Sequence, residues 1–269
     1  MKSFVMAVLL LLTGLLAGAQ DVKELLAKFE EANGGRQKLK AIKTLQVESV
    51  MKMSMMGQSF DININAIRER GKLYRREIGG IMGMGNSWTM ITDTAGYNYL
   101  PSLPSFGGMQ GSSASLNKMA DEELKQQQYE LDCAGAFGPL VDYAAKGHQA
   151  EYLGMGKVNK QDCYKIKLTL ASGGSLLYFI DTTANRVQMV EASGDMAVAL
   201  TGFGGMMKMM GGGRMRNVTV AVQYSDYKDF GGIAYPMKQV INLGQVVTTV
   251  ENMDVKINEP VDEVWYRIK

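Results

Sequence analysis

Sulfur is the chain's most conspicuous chemical resource. Of its 21 methionines, five fall with six glycines in the fourteen residues GFGGMMKMMGGGRM, 202–215. Met206, Met207, Met209 and Met210 could ligate Cu(I), a soft ion that suits thioether sulfur. Met51, Met53 and Met55 in MKMSMM invite the same reading, but their spacing of two sets them on one strand face with Leu45 and Val47, as a core requires. An apolar reading explains the loop better. Methionine adapts to irregular apolar partners, and glycine lets the backbone reshape around them. The segments 81–85 (IMGMG, with Met82 and Met84) and 102–115 (SLPSFGGMQGSSAS, with Phe106 and Met109) repeat the theme. With Phe203, these side chains read as lids over a hydrophobic ligand; the plain alternative is surface loops with incidental methionines.

The remaining reactive side chains point away from catalysis. His148 is the only histidine, and Glu122-Glu123 belong to a charged helix where solvated carboxylates are the default. No GxSxG, HExxH, Walker or Rossmann glycine pattern occurs. The chain therefore reads as a non-enzyme with no cofactor and no metal site, copper being the weaker rival. Cys133 and Cys163 lie thirty residues apart, too far for CxxC redox chemistry. A disulfide, two buried thiols or a reactive pair all stay open.

Residues 1–19 have the form of a secretory signal: Lys2, an apolar run over 4–16, and Ala17-Gly18-Ala19 as a small-x-small cleavage site. The run is short of the ~20 residues that span a bilayer. The mature chain, 20–269, is expected as a single domain, exported to the periplasm and not membrane-spanning. Loss of Lys2 takes the formal net charge from +2 to +1, which argues against nucleic acid and anionic membranes as partners.

These side chains need a scaffold, and periodicity supplies one. Apolar residues at helical spacing over 21–33, with Asp21 and Glu24 as a capping box and Gly34-Gly35 as a stop, predict a helix; 36–41 predicts a short second one. From Thr44 the period becomes two, giving a long strand over 44–55 and a second in which Phe60, Ile62, Ile64 and Ala66 alternate with Ser59, Asp61, Asn63 and Asn65, the two forming a hairpin. Further strands are expected at 72–78, 87–92, 96–100, 149–157, 162–171, 175–181, 186–192, 217–227, 233–243 and 245–257. Pro236 suggests an edge position or a bulge in its strand. Helices are expected at 121–131 and from Pro139 to residue 146. The economical architecture is α+β and mostly β: a strongly curved antiparallel sheet, an incomplete barrel, with helices covering the concave face. Leu45, Val47, Met51, Met53, Met55, Phe60, Ile62, Ile64, Trp88, Met90, Tyr164 and Ile166 are placed on inward faces as the lining of a hydrophobic cavity. A core packed solid on its helices has the same periodicity.

Three passages, DVKELLAKFEEANGGRQKLKAIKTLQVES, GHQAEYLGMGKVNKQDCYKIKLTLASGGSLLYFID and YSDYKDFGGIAYPMKQVINLGQVVTTVENMDVKINEPVDEVWY, together resemble the LolA/LolB-like superfamily of periplasmic lipoprotein carriers, especially its divergent lipoprotein-sorting group of Bacteroidetes-type bacteria. The resemblance implies a bent, incomplete barrel plugged by helices, which shelters acyl chains of a lipid or lipoprotein in transit, with an outer-membrane acceptor as a further partner. It also implies a lid-holding arginine, for which Arg68, Arg70, Arg75 and Arg76 are candidates. The Met/Gly loops are not part of the family pattern. A sensor or adaptor that docks a protein partner through the same apolar surface is the alternative from another class.

Overall fold

Period-two alternation produces strands that all join one sheet. The structure is a computed structural model describing residues 22–55, 58–80, 85–102, 104, 111–133, 135–201, 219–243 and 246–268. Residues 1–19, read above as a secretory signal, and every proposed lid residue (Met82, Met84, Phe106, Met109, Phe203, Met206, Met207, Met209 and Met210) lie outside the described residues. Strands β1 (Thr44–Met55), β2 (Gln58–Glu69), β3 (Leu73–Ile78), β4 (Ser87–Ile91), β5 (Gly96–Leu100) and β6 (Ser115–Lys118) precede a helical interlude. Strands β7 (Gln149–Val158), β8 (Gln161–Thr169), β9 (Ser175–Asp181), β10 (Val187–Ser193), β11 (Thr219–Asp229), β12 (Ala234–Leu243) and β13 (Val246–Ile257) follow it. The order is β6-β5-β4-β3-β2-β1-β13-β12-β11-β10-β9-β8-β7, antiparallel throughout. The two ends, β6 and β7, are not paired with each other, so the sheet does not close.

Helix α1 covers residues 22–32 and α2 covers Arg36–Ala41. Between them Gly34 meets the β11–β12 turn so closely that a Cβ would sit 2.4 Å from the Gly232 carbonyl oxygen, at a φ of +121°. Only glycine fits there. Helix α3 (Asp121–Gln127) continues into three 3₁₀ turns, Gln128–Leu131, Gly135–Leu140 and Tyr143–Lys146. The expected helix starting at Pro139 is therefore corrected. Pro139 sits inside a 3₁₀ turn, where its missing N–H breaks any α-helical ladder. A further helix, α4 (Asp195–Thr201), is apolar nearly all round, burying Met196, Ala197, Ala199, Leu200 and Thr201.

Pro236 is on an interior strand, not an edge. It pairs with Tyr227 of β11, while the ladder to β13 begins only at Lys238, so no hydrogen bond to β13 needs its nitrogen. Its carbonyl accepts from Asn252 Nδ2 at 2.7 Å.

The sheet curls around its helices. α4 packs on β10 and β11, yet Arg76 of β3 donates to its last carbonyl, Thr201 O, at 2.7 Å. Laid flat, β3 and β10 are six strand positions apart, about 29 Å at ~4.8 Å per step. One arginine and a helix ~10–12 Å wide cannot bridge that distance. The inner face, α1 and the 3₁₀ turns share one core that includes Phe29, Leu45, Met51, Leu140, Ile166 and Tyr178, each nearly or fully buried.

Candidate functional site

Alternation assigns each strand residue to the inner or outer face, and the ladders carry that assignment from strand to strand. Leu45, Val47, Met51, Ile62, Ile64 and Ile166 are buried in the inner core, and Met53 and Phe60 pack against it. Tyr164 shares their parity, pairs with Ile180 and meets Tyr152 edge-on at 6.2 Å. Met55 ends β1; nothing of its side chain is described. Trp88 and Met90 require correction. They pair with Glu77 and Arg75, whose parity is outward. With Leu73 they form a separate cluster under Val261 and Trp265 of the C-terminal tail. Alternation in a five-residue strand gives parity but not which face is inside.

The four candidate arginines separate by the same geometry. Arg75 faces outward, stacks over Trp88 at 4.4 Å and ties down the tail by donating to the Arg267 carbonyl at 2.7 Å. Arg70, in the turn just after β2, donates to Asp132 at 2.5 Å and to the Ile42 and Leu39 carbonyls, bracing the 3₁₀ segment against α2. Arg68 and Arg76 face inward. Arg68 Nη2 reaches Glu130 Oε2 at 2.5 Å, with side chains 9% and 7% exposed, and its guanidinium lies 4.6 Å over the Tyr74 ring. Burial disfavours the Arg68 charge, but Glu130, Tyr74 and Tyr235 outweigh it and hold its pKa above the ordinary guanidinium value.

Arg76 satisfies an orphan carbonyl at the C-terminus of α4, where a cation is electrostatically favoured. Both inward arginines thus hold pieces of the helical plug. Sequence did contain a signal for Arg68: it extends the inward series Phe60, Ile62, Ile64, Ala66 by one step. Ser49, hydrogen-bonded to Asn252 at 2.8 Å, likewise carries inward parity beside a shift of register in the β1–β13 ladder.

Between sheet and plug lies a cavity of about 70 Å³, walled by Val47, Ile64, Arg68, Tyr74, Arg76, Glu130, Leu200, Tyr235 and Asn252 among others. A second void of about 20 Å³ sits between α1, β1 and the 3₁₀ segment. Pockets for drug-sized ligands run to ~300–1,000 Å³, so neither of these two voids holds such a ligand as it stands. A surface groove of about 560 Å³ runs past Leu153, Leu177, Glu191 and Met196 to the start of α4.

The cysteines are free and buried in different clusters. Cys133 donates to the Lys43 carbonyl at 3.2 Å, and burial pushes its thiol up to about 11. His148 Nδ1 accepts from the Ala171 N–H at 3.1 Å, a structural role for neutral imidazole. No group of three or more His, Cys, Asp or Glu side chains suited to a metal occurs among the described residues. No helix among them is long and apolar enough to cross a membrane.

An open, curled antiparallel sheet filled by helices is the LolA-like fold, and comparison with solved structures gives the same class. A LolA superfamily protein from Nitrosomonas europaea superposes with a TM-score of 0.54 at 10% identity, over 91% of this chain and 96% of that one. A domain from Vibrio parahaemolyticus, titled for outer membrane lipoprotein sorting, gives 0.54 at 12% identity, over 91% of this chain and all of its own. No family model matches the chain, and no curated protein matches it by sequence.

Proposed function

We propose that this protein is an exported, periplasmic carrier that shelters the acyl chain of a lipid or lipoprotein between its sheet and a displaceable helical plug, acting by binding and without chemical conversion. The observation that carries this reading is the construction of the plug. It is built of short helices and 3₁₀ turns, too short to be stable alone, and two inward arginines hold it over an apolar face.

Magnitudes favour exchange. The Arg76–Thr201 bond contributes about 1.5–3 kcal/mol as a charge-assisted hydrogen bond. Lifting α4 exposes Met196 and Leu200 at roughly 1.5–3 kcal/mol each. Opening therefore costs about 5–9 kcal/mol, whereas a sixteen-carbon chain contributes up to ~12 kcal/mol at ~0.8 per CH₂. Cargo can displace the plug with a modest net gain, as reversible hand-over to an outer-membrane acceptor requires. The lid role of the Met/Gly loops belongs to the same proposal.

Native mass spectrometry of protein purified from an exporting bacterial host tests it. Retained masses that extract as acyl lipids support the carrier. A stoichiometric protein partner with no lipid supports the adaptor instead.

A further inference from the structure

The interior cavity has a polar side that sheltering an acyl chain does not use. The ladders of β11, β12 and β13 set Tyr224, Gln239 and Val250 side by side across the inner face, and Tyr235 shares the parity of Gln239 on β12. All four line the cavity together with Arg68. Arg68 Nη2 is held by Glu130, but Arg68 Nε, in a side chain nine-tenths buried, has no hydrogen-bond partner. The hydroxyls of Tyr224 and Tyr235 and the amide of Gln239 likewise make no hydrogen bond among the described residues. Tyr224 is only 6% exposed. Polar groups inside an apolar core are nearly always paired, so four of them around one void mark a polar subsite.

We infer that these groups bind the acyl carbonyl, ester or amide, that joins a fatty chain to its headgroup, while the chain takes the apolar space vacated by α4. This rests on the lipid-carrier reading and adds the point at which cargo is recognised. Arg68 Nε–H and a tyrosine hydroxyl supply donors for the two lone pairs of one carbonyl oxygen, and Gln239 Oε1 supplies an acceptor for an amide N–H. The cavity of about 70 Å³ holds several waters at ~10–15 Å³ each, room for the linkage and too little for the chain. Ile64 and Leu200 on the same walls begin the apolar path. An ether in place of the ester has no carbonyl and leaves the buried donors unpaired.

Titration calorimetry with 1-lauroylglycerol, its ether analogue 1-O-dodecylglycerol and its amide analogue 3-lauramido-1,2-propanediol, on the full chain and on Tyr224→Phe/Tyr235→Phe, tests this. The expected result is binding of the ester about fivefold or more tighter than the ether. In the double variant that preference falls by about threefold or more, and an unchanged preference overturns the inference. The cost of opening α4 is common to ester and ether and cancels in their ratio. Phenylalanine keeps the ring packing, and neither hydroxyl has a partner among the described residues to lose; should the double variant not fold, Tyr235→Phe alone is read the same way. An amide that binds as tightly as the ester admits both linkages, and a weaker one restricts the site to esters; both results keep the carbonyl contact and differ only in its source. Equal binding of ester and ether by the unaltered protein overturns the carbonyl inference and leaves the carrier standing. Absence of binding by all three overturns both.

Discussion

At the scale of single residues, three side chains make sharp demands. Gly34 abuts the Gly232 carbonyl, so Gly34→Ala should lower unfolding free energy by about 1–3 kcal/mol in urea, the usual range for backbone strain. A loss under ~0.5 kcal/mol would contradict that contact. Arg68→Met strands the buried Glu130 and should cost ~3–5 kcal/mol, much of it recovered when Glu130→Met is added. A double-mutant cycle reads the coupling, and strict additivity would show the pair to be inert. His148 is held neutral by burial, with the nearby Lys146 charge adding to it, so its folded pKa lies below the unfolded value. The unfolded chain then binds the extra proton first. This contribution to stability is complete above about pH 6.5 and is lost as pH falls through the folded pKa. Denaturation midpoints against pH should show the decline, and His148→Gln should flatten it.

At the scale of elements, the strands were legible and the plug was not. β1, β5 and β9 match their expected bounds because alternation over five to twelve residues is a strong signal, while β2 runs beyond the alternation expected over 59–66, from Gln58 to Glu69. α4 was missed because seven mostly apolar residues show no polar face and abut the Met/Gly segment. β6 was missed because four residues after a glycine- and serine-rich stretch show little alternation. The inward placement of Trp88 and Met90 failed for a different reason: parity is local, whereas the choice of face is set by pairing with strands far away in sequence. Both tryptophans, Trp88 and Trp265, belong to the outer cluster where the tail docks. Truncation after residue 260 should red-shift the emission of the remaining Trp88, whereas filling the interior with laurate should leave emission of the full chain unchanged. A large emission shift on laurate binding would place the ligand at the tail instead.

At the scale of the whole molecule, the account needs one conformational equilibrium. Closed, the sheet wraps its own helices around small voids. Open, the same apolar face is available to a chain from outside. Cys133 lies beneath the 3₁₀ segment with its thiol pushed up to about 11, so at pH 8 it should resist alkylation. Arg70→Ala removes the brace between Asp132 and α2 and should speed labelling in proportion to the open population, roughly tenfold to a hundredfold for a 1.5–3 kcal/mol contact. The candidate site was partly legible, since its apolar lining follows from alternation. Its charged end depends on Glu130, brought to Arg68 across 62 residues, and no local pattern announces such a pairing.

Hydrogen exchange of residues 121–146 and 195–201, with and without laurate, tests the central claim most directly. If cargo displaces α4, exchange over 195–201 rises when laurate binds while the amides of β1, β2 and β13 keep their protection. If laurate binds and 195–201 remains as protected as in the free protein, the sheet interior does not receive the chain and the carrier account is wrong.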